Sequence, residues 1–299
     1  MPKFLLPVLL AFWAIAPGHA QPTRPPQADD QSSGTIVVEG MRDRDQEIAR
    51  FVDSLTDTPV SGQLSRFDWA VCPIAVGLGD ARGAIIARRM RQVAAAAAIR
   101  VDKPGCKPNV LLFVAGDKSD LIAQLYRKYP AYFSGVHWSD VRRIIRDPSP
   151  AAAWHVEGRL DADGIPAKRD RITGQEIIER TDAPSRLSTA SRPHFIASVV
   201  VVDLDSLGGL TLTQLADYAA MRAFARTDPR RVANSTAPTI LSAVETPIGS
   251  PMPVTLTEWD LAFLRSLYAS SANRSASQQR AEMKQIVRRT LQAEPKNDD

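Results

Sequence analysis

Runs of consecutive apolar residues mark the strands of this chain. The strongest, FIASVVVVDL at 195–204, does not alternate with polar residues and therefore predicts a central strand buried on both faces. NVLLFVA at 109–115 has the same character. WAVCPIAV at 69–76 also predicts a strand, and Pro73 favours an edge or bent position because proline cannot donate to a ladder. A shorter stretch, TIVVEG at 35–40, predicts one more strand.

Elsewhere the apolar residues recur at the three- and four-residue spacing of amphipathic helices. The predicted helices span 43–56, 80–99, 117–129, 138–145, 212–225, 256–269 and 275–292. In the second of these, Ile86, Met90 and Val93 mark the buried face, and its arginines are expected to point elsewhere. Thr257 and Ser275 are candidate N-caps for the last two helices.

The alternation of strands and helices is typical of an α+β or α/β fold, in which helices pack on a layered, mixed sheet. We expect a single globular domain over residues 35–293 with C-terminal helices, followed by a charged tail at 294–299. Residues 157–192 have a weak pattern rich in charge, Ser, Thr and Pro. They predict a long excursion from the domain, with room for one hairpin.

The first twenty residues predict export. Lys3 is followed by an apolar run at 4–16, and Gly18-His19-Ala20 places small residues where a signal peptidase cleaves, after Ala20. The run is shorter than the span of about 20 residues that a membrane helix needs. Residues 21–34 are rich in Pro, Gln, Asp and Ser and predict a disordered leader. The expected protein is periplasmic or secreted, without a membrane span after signal cleavage.

Composition and cysteine usage narrow the chemistry. The net charge is only +4, and the acidic and basic residues are interspersed without a nucleic-acid-binding module, so no nucleic-acid partner is expected. Cys72 and Cys106 are the two cysteines, and an even number in an exported chain favours a structural disulfide. The alternative is a catalytic or metal-bound thiol, but neither cysteine has CxxC spacing or a nearby histidine.

A glycine-rich segment lies between a predicted strand and a predicted helix. Gly77 and Gly79 match the start of the dinucleotide motif G-x-G-x-x-G, but the third place holds Arg82, and Gly83 comes one position late. The pattern therefore favours a loop with a helix start over a nucleotide site. We expect no cofactor.

Residues 199–268 resemble the catalytic half of metzincin-like zinc peptidases in layout. Those proteins have a buried strand, a helix carrying H-E-x-x-H-x-x-G-x-x-H, a turn with a Met-like segment, and a closing helix introduced by LT-x-x-D and ending in LY. Here VVVVD at 199–203 matches the strand, 212–225 the helix and APTIL at 237–241 the turn. TLTEWD at 255–260 with Leu267-Tyr268 matches the closing helix.

The zinc ligands of that family are missing. Thr213, Gln214 and Asp217 stand at the H-E-x-x-H places, and the third histidine falls on Ala223. A zinc site needs three protein ligands with nitrogen, sulfur or carboxylate donors. The resemblance therefore implies a zincin-like scaffold without its catalytic metal, a pseudoenzyme. An ordinary amphipathic helix after a core strand is the other interpretation, and both remain open.

Three further segments resemble an exported alphaproteobacterial family of unknown function. They are RFDWAVCPIAVGL at 66–78, GCKPNVLLFVAGD at 105–117 and TLTQLADYAAMRAFA at 211–225. This resemblance implies export and supplies no activity.

Two functional hypotheses follow. The first is a non-catalytic binding or envelope accessory protein, whose partner is an unknown protein or small ligand of the cell envelope. The second is a periplasmic, peptidase-like hydrolase with an unrecognised active site. Its candidate catalytic residues are Asp203, Asp205, Thr213, Gln214, Asp217 and His194. The first is favoured, since none of the histidines after the signal lies within four residues of another, so no helical histidine pair can clamp a metal.

Overall fold

The computed structural model describes residues 32–56, 62–161, 163–169, 176–177, 191–247 and 249–293. Among the described residues, those from Arg42 onwards form one compact unit, and those before it belong to another. The predicted signal peptide, its cleavage site after Ala20, most of the predicted leader and the tail at 294–299 lie outside the described residues. The single domain over 35–293 stays a prediction.

Helices and a mixed sheet make up the described residues, which confirms the predicted α+β or α/β class. The helices are α1 (Ser32–Leu55), α2 (Asp80–Ala96), α3 (Lys118–Lys128), α4 (Trp138–Arg146), α5 (Leu212–Phe224), α6 (Ser242–Glu245), α7 (Glu258–Ala269) and α8 (Ala276–Ala293). The strands are β1 (Pro73–Val76), β2 (Val110–Ala115), β3 (Ala151–Asp161), β4 (Lys168–Arg169), β5 (Glu176–Ile177) and β6 (Ser191–Asp203). None of the described helices is long and apolar enough to cross a bilayer.

The main sheet has the order β1-β2-β6-β3, while β4 and β5 pair separately. Strands β1, β2 and β6 are parallel, and β3 runs antiparallel to β6 at the edge. Strand β6 is central, as its unbroken apolar run predicted. Strand β1 is the opposite edge and begins at Pro73, in agreement with the expectation for proline.

Two hydrophobic cores lie on the two faces of the sheet. Val200 and Val202 of β6 belong to the larger core, which α1, α2, α5, α7 and α8 complete. Val199 and Val201 belong to the smaller core, which is covered by α3 and α4. Because alternate residues of a strand point to opposite faces, a strand buried on both sides must be apolar throughout.

The predicted set of strands needs two corrections. The TIVVEG segment at 35–40 is not a strand, since it lies inside α1, which also includes 32–34 of the predicted leader. The structure also contains an unpredicted strand, β3, which begins at Ala151 and enters the region assigned to an excursion. Its alanines and Gly158 have low strand propensity, so pairing along β6 rather than local sequence determines this strand.

A β-bulge in β6 decides which way its first residues point. The register shifts between Val156 and Glu157 of β3, which pair with Ala197 and Phe195, so Ile196 is the extra residue. Phe195 consequently belongs to the larger core. His194, one residue earlier, turns to the other face of the sheet.

Candidate functional site

The first turn of α5 is held by a capping box. The Thr211 hydroxyl accepts a hydrogen bond from the Gln214 backbone N–H (3.1 Å), and the Gln214 side chain accepts one from the Thr211 N–H (3.0 Å). The Gln214 amide also donates to the Pro253 carbonyl (2.9 Å). Gln214, a predicted catalytic candidate, therefore supports the helix start and the loop before α7. Thr213 is exposed beside it.

Asp217 lies one turn further along α5 and is completely buried. Its Oδ1 accepts from Arg89 Nε of α2 (2.7 Å), and its Oδ2 accepts from Arg89 Nη2 (3.0 Å). Oδ2 also accepts from the Thr255 hydroxyl and the Leu256 N–H, both at 2.7 Å. Both carboxylate oxygens are thus occupied by protein donors, and Asp217 joins α5 to α2 and to the loop that introduces α7.

Arg89 could not be identified as the partner of Asp217 from sequence, because the arginines of α2 are predicted to point away from its buried face. It is 32 % exposed, and its hydrogen bonds to Asp217 raise the pKa of the guanidinium. Helical geometry does indicate this contact. Arg89 comes three residues after the buried Ile86, which is a rotation of about 300° around the helix axis, so Arg89 lies beside the buried face. Arg88 lies about 200° from Ile86, on the exposed side.

Asp203 and Asp205 follow the end of β6. The Asp203 Oδ1 accepts a hydrogen bond from the Lys118 backbone N–H (2.6 Å), at the start of α3. Lys118 is buried, and its Nζ donates to the Asp147 carbonyl (2.7 Å). Asp203 therefore fixes a helix N-terminus against the strand end, while Asp205 is exposed.

His194 lies near the opposite end of β6 and is buried. Its ring and that of Trp69 form an edge-to-face pair with 4.6 Å between centroids. Among the described residues, neither ring nitrogen has a hydrogen-bond partner of good geometry. Burial lowers the pKa of His194, and the nearby Asp68 carboxylate and Gly158 backbone oppose this shift only in part. The imidazole is consequently neutral at pH 7.

The six predicted candidates do not meet in one site. His194 and Asp203 are nine residues apart along one strand, which corresponds to about 30 Å. Thr213, Gln214 and Asp217 share the first turns of α5, but only Asp217 offers a carboxylate, and its oxygens are occupied. Ala223, at the place that the resemblance to zinc peptidases assigns to the third ligand, is buried and has no donor atom in its side chain. In the described part of the chain, no three His, Cys, Asp or Glu residues form a group that could hold a metal.

A second buried polar cluster, not predicted from the sequence, lies on α5. The Tyr218 hydroxyl accepts from Arg222 Nη1 (2.9 Å) and donates to Glu245 Oε1 of α6 (3.3 Å). Burial raises the pKa of both Tyr218 and Glu245. The four-residue spacing of Tyr218 and Arg222 is visible in the sequence. Their contact with Glu245 depends on tertiary packing.

His155 of β3 lies near the end of the same helix. Its Nε2 is 3.1 Å from the Ala223 carbonyl oxygen, and its ring stacks on Phe195. Because a carbonyl can only accept, Nε2 carries the proton of the neutral ring. Burial, reinforced by the positive charges of Arg226 and Arg222, lowers the pKa of His155 to about 3.

The two cysteines form a disulfide, as predicted, that joins Cys72, the residue before β1, to Cys106 in the loop before β2. The glycine-rich segment after β1 is used for packing. A Cβ at Gly77 would overlap the Val114 carbonyl oxygen, and one at Gly83 would lie 2.6 Å from the Ala75 carbonyl oxygen. Close backbone contact between β1, β2 and α2 explains these glycines, which supports the loop interpretation.

No protein-family model, curated protein or solved structure matches this chain.

Proposed function

We propose that this chain is an exported, non-catalytic binding or envelope accessory protein, built on a peptidase-like scaffold that has no zinc ligands. Its partner would be a protein or small ligand of the cell envelope. The class of the partner follows from the expected compartment and from the lack of a nucleic-acid-binding module in the sequence.

The state of Asp217 carries this proposal. In a peptidase-like arrangement this position would supply a metal ligand, and a ligand must face the metal rather than a cation of the protein. Here the two carboxylate oxygens accept four hydrogen bonds from Arg89, Thr255 and Leu256. The neighbouring Gln214 is engaged in a capping box and with Pro253. These groups connect helices and loops, which is the use expected of a scaffold without catalytic chemistry.

Metal content and hydrolytic activity test the proposal directly. The mature protein, purified without chelators, is expected to contain far less than one zinc per chain and to show no peptidase or esterase activity above buffer. Asp217→Asn serves as the matched variant, because it removes the only carboxylate at the former ligand positions. Stoichiometric zinc in the wild type that is lost in Asp217→Asn would contradict the proposal, as would any hydrolysis abolished by that substitution.

Export is the second component of the proposal and rests on the N-terminal pattern together with the disulfide, since disulfides persist in oxidising compartments. Cell fractionation followed by N-terminal sequencing is expected to place the mature protein in the periplasm or medium, starting at Gln21. Recovery from the cytosol with residues 1–20 attached and both thiols free would contradict it.

A further inference from the structure

A guanidinium lies beside both sulfurs of the disulfide. Arg91 Nη2, on α2, is 3.1 Å from Cys106 Sγ and 3.6 Å from Cys72 Sγ. Arg91 Nη1 donates to the Asp102 carbonyl oxygen at 2.6 Å, which holds the guanidinium against the loop that carries Cys106. A disulfide is uncharged and gains little from such a cation. A thiolate at the same position gains much more, because the charges are opposite and close.

The two cysteine residues differ in exposure. Cys72 is 4 % exposed, whereas Cys106 is partly exposed on the loop before β2. We therefore expect an external thiolate to attack Cys106 rather than the more buried Cys72, and attack at Cys106 makes Cys72 the leaving group.

The backbone around Cys72 is held independently of the sulfur bridge. The Cys72 N–H donates to Asn109 Oδ1 (2.7 Å), and the Val110 N–H donates to the Cys72 carbonyl (3.3 Å). Val71 is joined to Arg100 and Asp102 by two further backbone hydrogen bonds. Opening the disulfide therefore leaves β1 paired with β2 and frees only the short loop around Cys106.

We propose that Cys72–Cys106 is a thiol-exchange site, which a dithiol opens by attack at Cys106 and which Arg91 activates by stabilising the released thiolates. This proposal concerns the disulfide alone and does not depend on the proposed function. It assigns the bridge a role beyond that of a structural crosslink.

The exchange has two steps. A thiolate of the dithiol forms a bond to Cys106 Sγ, the Cys72–Cys106 bond breaks, and its electron pair leaves on Cys72 as a thiolate beside Arg91. The second thiolate of the dithiol then attacks the dithiol's own sulfur in the mixed disulfide and releases Cys106 as a thiolate. The cysteine thiolates exchange protons with water, and the fraction that stays ionised beside Arg91 favours the reduced protein. The dithiol becomes a disulfide, and two electrons pass to the protein.

Redox equilibration measures the contribution of Arg91. The full chain is equilibrated with dithiothreitol at defined ratios of reduced to oxidised reagent, and the free thiols are then alkylated and counted by mass. We expect the equilibrium constant for reduction to fall about tenfold in Arg91→Gln, a shift of about 30 mV for two electrons. Arg82→Gln is the control, because Arg82 is exposed on the same helix about 13 Å away along its axis. It is expected to stay within twofold of wild type.

Two measurements on the wild type test the proposal without relying on a variant. The reduced protein is expected to keep its far-ultraviolet circular dichroism, and brief exposure to glutathione should place the mixed disulfide on Cys106. Equal reduction constants in Arg91→Gln and wild type would overturn the proposal. So would unfolding of the wild type on reduction, or glutathione found on Cys72.

Discussion

Two buried carboxylates, Asp217 on α5 and Asp260 on α7, are satisfied in different ways. Asp217 is paired with a cation, Arg89. Among the described residues, the donors to Asp260 are neutral: the Thr239 hydroxyl at 2.6 Å, the Ile240 N–H at 2.8 Å and the Thr257 N–H at 3.1 Å. Burial consequently raises the pKa of Asp260, and these hydrogen bonds oppose the shift only in part. A buried carboxylate that has no cation beside it can be protonated and so become neutral. At Asp217, the burial of the carboxylate is compensated by the charge of Arg89.

Loss of Arg89 should therefore be costly. In Arg89→Gln, a fully buried carboxylate loses its cation, and we expect the free energy of unfolding to fall by about 2–4 kcal/mol, somewhat less than for a pair buried on both sides. Urea titration measures this loss. Arg88→Gln removes the same charge from the exposed side of α2 and should change stability by less than about 0.5 kcal/mol. Equal losses in the two variants would show that the ion pair contributes nothing specific.

His155 makes stability depend on pH. Its pKa is about 3 in the folded protein and about 6.5 in the unfolded chain, so the unfolded chain binds more protons between these values. The contribution of the neutral His155 ring to the free energy of unfolding is fully present above pH 6.5. As the pH falls from 6.5 towards 3, this free energy decreases by about 1.4 kcal/mol per pH unit. Between pH 7 and pH 5, the wild type should lose about 2 kcal/mol more than His155→Gln, since glutamine does not titrate.

Unfolding free energies at pH 7 and pH 5 in both proteins provide the measurement. The acidic residues and His194 are common to the two proteins, so their effects cancel in the difference. An identical loss in wild type and His155→Gln would mean that His155 is not held neutral by the fold.

At the scale of elements, the last two helices start with caps of unequal quality. Thr257 accepts from the Asp260 N–H at 3.0 Å within a complete capping box at the start of α7. Its hydroxyl also lies 2.9 Å from the Pro238 carbonyl oxygen, which anchors the preceding loop. At α8, the Ser275 hydroxyl lies 3.4 Å from the Gln278 N–H and is exposed.

This difference should appear in the two alanine variants. We expect Thr257→Ala to lower the free energy of unfolding by about 2 kcal/mol and Ser275→Ala by about 0.5 kcal/mol, the two ends of the range for N-caps. Thermal and urea denaturation of the two variants compare them directly. A Ser275→Ala loss as large as that of Thr257→Ala would show that cap geometry and burial do not set the cost.

The elements that could be predicted from sequence are those whose own residues determine their structure. Strand β6 is apolar at successive positions, and α5 has both a capping box and helical periodicity. Strand β3 was missed because its alanines have no strand preference and its pairing with β6 is a tertiary effect. TIVVEG is helical within α1 despite its β-branched residues, because residue propensity is only a weak determinant of structure.

The candidate site was less predictable than the fold. The sequence located Asp217 and Gln214 on α5 and identified the cysteine pair, but it did not identify what those side chains contact. Arg89 is 128 residues from Asp217 along the chain, and the contact exists only because α2 packs on α5. Arg91 and Cys106 meet through the same kind of tertiary arrangement.

At the scale of the whole molecule, helices from the two ends of the described chain share one core. Arg44 donates to the Leu291 carbonyl at 2.9 Å, and Lys284 pairs with Asp53 at 2.8 Å. Such exposed polar contacts contribute little to stability, typically below about 1 kcal/mol each. The association of α1 with α7 and α8 must therefore depend on the apolar residues that these helices bury together.

Phe51 of α1 tests this dependence on apolar packing. It is 1 % exposed and makes edge-to-face contacts with Trp259 at 5.3 Å and Phe263 at 6.1 Å, both on α7. Phe51→Ala removes these contacts and leaves a cavity, so we expect a loss of about 3–5 kcal/mol in the free energy of unfolding. Tyr129→Ala removes a ring that is 55 % exposed and should cost less than about 1 kcal/mol.

Urea titration followed by tryptophan fluorescence and by circular dichroism should give coincident curves for Phe51→Ala, because α1 belongs to the same core as the central sheet. Separated curves, or a loss no larger than that of Tyr129→Ala, would show that α1 is dispensable for the stability of the core.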